Sequence, residues 1–300
     1  MIAGGSGLIG THFSLALLQQ GHRVWILSRD PDRQPLPAGS TGVRWDGKTV
    51  EGWGYLVEEM DAIVNLTGEN LASGLWTSAR KQRFFSSRVE PGRALAEAVR
   101  AGARRPKVFV QVSGIGYYGF SGDRFVAEDA PPGSDYMAQL CVQWENATRE
   151  VEDFGVRRVI MRNSPVFTRE NLILKMYLLP FRLFVGGPLG SGKQWTPWIH
   201  RADQIGAMIH LIQNEDCRGP FNLVAPDVMR NADFGKTIAR VLRRPYWFPV
   251  PGFALRLAIG EMSQTVLEGQ RAECRKLLDS GYTFKFPTLE EALRDILSAR

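Results

Sequence analysis

Gly4-Gly5-Ser6-Gly7-Leu8-Ile9-Gly10 opens this 300-residue chain, a Gly-x-x-Gly-x-x-Gly run just ahead of an amphipathic stretch over residues 8–20 that Gly21-His22 can end. Glycines at this spacing let a backbone turn sharply, approach a pyrophosphate closely and pack the following helix against a sheet. The free N–H groups of that helix, with its dipole, then attract the anion. Residues 23–29 supply the next strand, completing the strand–turn–helix–strand setting in which the glycines carry meaning. Outside that setting they would be an ordinary turn. Only Met1-Ile2-Ala3 precede the run, against about five residues for a usual buried strand. The first strand is therefore expected to be shortened, or its start truncated, with a weaker sheet centre as the result.

Strands and helices alternate outward from this point. Residues 43–45, 61–66, 108–113, 156–161 and 221–224 read as strands, and residues 78–101 and 136–154 as helices, with Pro91 near a break in the first. The alternation predicts an α/β fold with a mainly parallel sheet. Residues 180–197, rich in Gly and Pro, read as a long functional loop, and Asp203 as the cap of the helix after Trp198-Ile199-His200. From Asn231 onward the pattern is helical, with residues 247–251 as an extended link. The expected division is residues 1–230 as a nucleotide-binding domain and 231–300 as a smaller helical one.

Composition narrows the function classes. A chain 44% hydrophobic can bury a full core, and it has no run of about eighteen apolar residues to cross a membrane. The net charge of +6 is spread along helices rather than clustered with aromatics, which argues against a nucleic-acid partner. Cys141, Cys217 and Cys274 form no Cys-x-x-Cys pair and read as reduced thiols, and the four histidines make no metal spacing. With no secretory leader in view, an intracellular, cytoplasmic protein is expected; an organelle-targeting peptide would have been lost if the start is truncated.

At the end of the second strand stand Ser28 and Arg29. An acidic side chain there would accept from an adenosine 2′-hydroxyl, whereas Arg29 offers a fork to a 2′-phosphate and Ser28 a further donor. Asp30 follows one position later, and a merely solvated Arg29 is the plainer alternative.

Taken with Asn65-Leu66-Thr67-Gly68-Glu69-Asn70, Trp76-Thr77, Ser87-Arg88, residues 113–119, Trp144-Glu145, residues 186–192, Trp198-Ile199-His200 and residues 222–226, these features resemble an extended short-chain dehydrogenase/reductase. More narrowly, the chain resembles the "epimerase family" branch related to nucleotide-sugar epimerases, whose small C-terminal domain has no known role. The resemblance implies a Rossmann-type doubly wound sheet and NADP as cofactor. It also implies that Gly4, Gly7, Leu8, Ile9, Gly10, Ser28, Arg29, Leu66, Thr67 and Gly68 hold that cofactor. Arg88 matches a helix arginine pointing at the cofactor, with Arg83 competing, and Val166 matches the wall of the nicotinamide pocket.

The catalytic side is less complete. Active members of the superfamily use a Tyr-x-x-x-Lys pair, in which the lysine lowers the tyrosine pKa for proton exchange, and a serine that holds the substrate oxygen. Ser113 fits the serine. Four residues after Tyr136 stands Leu140, and counting back from Glu145 puts Met137 and Cys141 in the two places, so neither register supplies the pair. Ser113 and Tyr118 are the candidate catalytic residues, with Tyr117, Glu69 and Cys141 as other proton handlers. Two functions remain: an NADP-dependent oxidoreductase or epimerase-like enzyme on an unknown small polar substrate, and a non-catalytic NADP-binding sensor.

Overall fold

The computed structural model describes residues 1–33 and 35–298. Its centre is a sheet of β1 (Ile2–Ala3), β2 (Trp25–Ser28), β3 (Thr41–Arg44), β4 (Ala62–Asn65), β5 (Val108–Gly114), β6 (Arg157–Asn163) and β7 (Gly219–Leu223). The order is β7-β6-β5-β4-β1-β2-β3, and every pairing is parallel. The strand order reverses at β1, which opens a crevice at the carboxyl ends of β1 and β4. Although β1 has two residues, it keeps the central place. Ile2 pairs with Ile26 and Val64, and Ala3 with Leu27 and Asn65. The Val64 and Leu66 N–H groups donate to the Met1 and Ala3 carbonyls at 2.9 and 2.8 Å, so the pairing runs past the formal strand.

Alternation within the strands fills both faces. Ile2, Ile26, Val64 and Val110 point to one side, where they meet Phe13 of α1 (Leu8–Gln19) and Met208 and Leu211 of a later helix over Arg201–Gln213. Ala3, Leu27, Ile63 and Phe109 point to the other, against Ala94, Leu95 and Val99 of α2 (Ser78–Ala101). Burial on both faces is what near-continuous apolar strands require. Pro91 lies inside α2 without ending it.

Three local expectations are corrected. The helix read over residues 136–154 is α3 (Tyr136–Asn146) followed by a 3₁₀ turn, Arg149–Phe154. The Arg158 guanidinium donates to the Glu145 carbonyl and to Thr148 Oγ1, so the helix end is satisfied by a side chain from β6 rather than by further helix. The loop read from residue 180 begins within α4 (Leu172–Arg182), which tolerates Pro180 in its last turn and buries Leu174, Leu178 and Phe181. Finally, α5 (Arg201–Gln213) is capped by His200, whose Nδ1 accepts from the Ala202 N–H at 3.1 Å. Asp203 lies inside the first turn and instead accepts from the Lys285 and Phe286 N–H groups at 2.6 and 3.0 Å.

The C-terminal helices do not form a core of their own. In α6 (Asn231–Leu242), Phe234 and Ile238 pack with Leu174 and Phe181 of α4 and with Leu289, Leu293 and Ile296 of the last helix, Leu289–Ser298. Between them runs α7 (Gly252–Ile259), which buries no residue.

Candidate functional site

The glycine turn joins β1 to α1. Gly4 adopts φ +78, and a Cβ there would stand 2.9 Å from the Leu66 carbonyl, so both conformation and space exclude a side chain. At Gly10 a Cβ would come within 2.5 Å of the Gly4 carbonyl oxygen. Gly7 is the N-cap of α1 and has no side chain to cap it. Gly7 and Leu8 are exposed, which leaves the first-turn N–H groups of Leu8, Ile9 and Gly10 facing the crevice mouth as an anion site.

Asn65 moulds the facing loop. Its Oδ1 accepts from the Thr67 N–H and hydroxyl at 3.1 and 2.6 Å, and its Nδ2 donates to Gln111 Oε1 at 3.0 Å. This buried clamp turns Leu66, Thr67 and Gly68 beneath the glycine turn. Arg88 fastens the same loop from α2, with one Nη donating to the Glu69 carbonyl at 3.0 Å and the other to the Phe84 carbonyl at 3.1 Å. Arg88 is buried, its pKa is lowered to about 10 by that burial, and its Nε has no hydrogen-bond partner among the described residues. Arg83, by contrast, is exposed and pairs with Glu69 at 3.2 Å. Of the two competing arginines, Arg88 is the one aimed under the loop.

Ser28 and Arg29 stand at the end of β2, beside β3. Arg29 is exposed, and its guanidinium has no partner among the described residues, while its carbonyl accepts from Arg44 at 3.3 Å. Asp30 does not compete with it: its carboxylate lies 3.7 Å from both Arg33 and Arg44, and Asp32 holds Arg44 at 2.7 Å. Arg44 is a residue that the sequence did not single out. It sits fifteen positions from Arg29 in the chain but directly beside Ser28 in the β2–β3 register. Periodicity within one strand cannot reveal a neighbour of this kind.

Ser113 is the last residue but one of β5, with its hydroxyl buried and without an oxygen or nitrogen partner among the described residues. The Cys141 thiol lies beside it. Burial, with Glu145 adding, pushes that thiol up to about 11 against smaller opposing contributions from the Gly114 N–H and Ser113. Met137 and Cys141 also face Gly116, where an added Cβ would lie 3.4 and 3.9 Å from them. Residues 113–116 therefore look onto a thioether and a neutral thiol.

Tyr118 is held elsewhere. Its hydroxyl donates to Asn222 Oδ1 at 2.6 Å and accepts from Arg162 at 2.9 Å, and burial pushes its pKa up to about 12. Arg162 in turn makes a two-point pair with Glu145, 3.0 Å on each side, and stacks 3.4 Å from the centre of the Tyr117 ring. Burial alone would lower the Arg162 pKa, but the Glu145 carboxylate outweighs it and raises it overall, so the guanidinium stays charged. Tyr136 donates to the Lys81 carbonyl at 3.1 Å. Val166 is buried beside Ile199, with which it pairs.

Comparison with known proteins places this arrangement. Residues 1–223 match the NAD dependent epimerase/dehydratase family, and residues 250–296 match a domain of unknown function, DUF1731. The chain is 35% identical to the epimerase family protein YfhF of Bacillus subtilis, over 100% of its own length and 98% of that protein. It is 34% identical to the human epimerase family protein SDR39U1, with 99% of each covered. The crystal structure of human SDR39U1 isoform 2 with NADPH superposes with a TM-score of 0.86 at 33% identity, covering 100% of this chain and 99% of that one. A nucleoside-diphosphate sugar epimerase from Corynebacterium glutamicum gives 0.78 at 28% identity, covering 99% of this chain and 57% of that one. A parallel sheet that reverses order beside a glycine turn, matched from end to end by such relatives, makes this chain a member of the NAD-dependent epimerase/dehydratase family with the extended short-chain dehydrogenase/reductase fold.

Proposed function

We propose that this chain binds NADPH along the crevice and acts as an NADP-dependent oxidoreductase or epimerase-like enzyme on a small polar substrate. The observation that carries the proposal is Arg29, an exposed guanidinium at the end of β2 without a partner among the described residues, whose acidic neighbours Asp30 and Asp32 are engaged by Arg33 and Arg44. That donor set suits a 2′-phosphate and not a 2′-hydroxyl. The residues fit the rest of the cofactor too. The cradle at Gly4 and Gly10 has no room for a Cβ, and the Arg88 Nε is a buried donor without an acceptor among the described residues. The NADPH in the human relative supports the same assignment.

When bound, NADPH supplies hydride-transfer chemistry. The N–H groups of Leu8, Ile9 and Gly10 meet the pyrophosphate, the backbone of Leu66, Thr67 and Gly68 runs beneath the ribose, and Ser28 and Arg29 take the 2′-phosphate. Arg88 stiffens the 66–69 loop and offers its Nε to the cofactor, and Val166 walls the nicotinamide end. The Ser113 hydroxyl holds a substrate oxygen. Tyr118 supports the floor of the site through Arg162 and Asn222 and leaves proton exchange to solvent. Residues 1–230 supply the nucleotide site, and residues 231–300 form the smaller helical part packed on α4.

A second function is favoured by one specific observation: Tyr117, Tyr118 and Tyr136 are all engaged in packing or hydrogen bonds, and Cys141 is held as a neutral thiol. A site so built also suits a sensor that binds NADPH without turnover. Single-turnover oxidation of NADPH against a panel of carbonyl compounds and sugar nucleotides separates the two. An enzyme shows turnover that Ser113→Ala abolishes with binding retained. No turnover across the panel, with binding intact, leaves the sensor.

A further inference from the structure

One face of the molecule is both apolar and basic. Of the eighteen large hydrophobic side chains exposed among the described residues, ten fall in residues 172–185 and 247–257. They include Leu183, Phe184, Trp247, Phe248, Phe253 and Leu257, the last 83% exposed. Hydrogen bonds make residues 183–186 and 244–248 a single surface. The Trp247 indole donates to the Phe184 carbonyl at 2.8 Å, and the Trp247 and Phe248 N–H groups donate to the Gly186 carbonyl at 2.9 and 3.1 Å. The α7 helix follows directly and turns Phe253 and Leu257 outward.

The charge on this face is predominantly positive, with Glu170 at its groove. Residues 171–202 and 234–260 together hold nine Lys and Arg and no Asp or Glu, so they carry more than the whole net charge of +6. Lys175, Arg182, Arg243, Arg244 and Arg256 are exposed, and none makes an ion pair among the described residues. Beside them lies a groove of about 360 Å³ lined by Arg169, Glu170, Lys175 and Arg182 with Leu174 and Leu178. Phe184 holds φ 63 as the left-handed residue that closes α4, where the Val185 N–H donates to the Pro180 carbonyl at 2.9 Å, and its exposed ring lies 4.4 Å from the Arg244 guanidinium.

We propose that this face docks on an anionic lipid surface, with Phe184, Trp247 and Phe253 at the acyl boundary and Arg182, Arg243 and Arg244 against the headgroups. Exposed aromatic and Leu side chains next to unpaired arginines are the combination that an interfacial contact uses. A second copy of the chain is a poor occupant, because a two-fold contact would bring the unpaired Arg182, Arg243 and Arg244 of each copy together. No helix among the described residues is long and apolar enough to cross a membrane, so the contact is peripheral. Just after α7, Glu261 pairs with Lys81 of α2 at 2.6 Å, which ties the end of this segment to the sheet-packing helix.

Flotation of the full chain with vesicles tests this, using phosphatidylcholine alone and phosphatidylcholine with about a third phosphatidylserine, at low and high salt. Binding only to the phosphatidylserine vesicles, and its loss at high salt, is expected. Arg243→Ala with Arg244→Ala should weaken it more than tenfold, at about fivefold per arginine. Phe184→Gly relieves the positive φ, so it should keep or raise the melting temperature while weakening vesicle binding. Equal binding to both vesicles, or to neither, overturns the proposal. So does preferential capture by a soluble acidic polypeptide or a nucleic acid in place of vesicles, or a stable dimer that Phe184→Gly dissociates.

Discussion

Replacing Tyr118 by Phe deletes one oxygen from the floor of the site, and the structure says what that oxygen does. It donates to Asn222 Oδ1 at 2.6 Å and accepts from Arg162 at 2.9 Å. Arg162 keeps Glu145 and the Glu128 carbonyl, so its charge stays compensated. Asn222, fully buried, keeps its Nδ2 bonds to the Val126 and Glu273 carbonyls but loses the one hydrogen bond that its Oδ1 accepts among the described residues. A buried acceptor left unpaired costs about 1–3 kcal/mol. At about 2.1 cal/mol/K of unfolding entropy per residue, a loss of about 2 kcal/mol lowers the melting temperature of 300 residues by roughly 3 °C. Differential scanning calorimetry should show that drop, and NADPH affinity should stay as in the parent chain. An unchanged melting temperature together with abolished turnover would refute the reasoning and make Tyr118 a catalytic group.

Other outcomes follow from the same geometry. Glu145→Gln breaks the buried two-point pair with Arg162 and should lower urea stability by about 3–5 kcal/mol, the larger effect because a charge is left uncompensated. Gly10→Ala forces a Cβ to 2.5 Å from the Gly4 carbonyl oxygen and should weaken NADPH binding at least tenfold by titration, with the sheet signal in circular dichroism retained. His200 has a folded pKa lowered below 6.5, chiefly by burial, so the unfolded chain takes up the proton first. Its contribution to stability is full above about 6.5 and is lost as pH falls towards the lowered folded value. His200→Asn, which keeps an N-cap, should flatten that part of a stability–pH curve measured in urea.

The legible parts of this protein are the local ones. The glycine turn could be read because its three roles fall within seven consecutive residues, and β4 and β5 because strands buried on both faces are continuous apolar runs. Helix α4 was hidden, since Pro180 and the glycines after residue 185 read as loop, whereas its buried stripe of Leu174, Leu178 and Phe181 shows itself only against α6 and the last helix. The break after Asn146 depends on Arg158, which arrives from another strand to take the Glu145 carbonyl. Tyr118 stood out in sequence as a loop tyrosine near Ser113. Its partners Arg162 and Asn222 lie 44 and 104 residues away, and no local pattern contains them. The same holds for Arg44, which is brought to Ser28 by strand register alone.

Calorimetric titration of the purified chain with NADPH and NADH, repeated on Arg29→Ala, tests the cofactor assignment most directly. NADPH should bind at least tenfold more tightly than NADH, a preference of about 1.4 kcal/mol or more, and Arg29→Ala should erase that preference while leaving NADH affinity in place. Equal affinity for the two nucleotides, or an NADPH preference that survives Arg29→Ala, would contradict it.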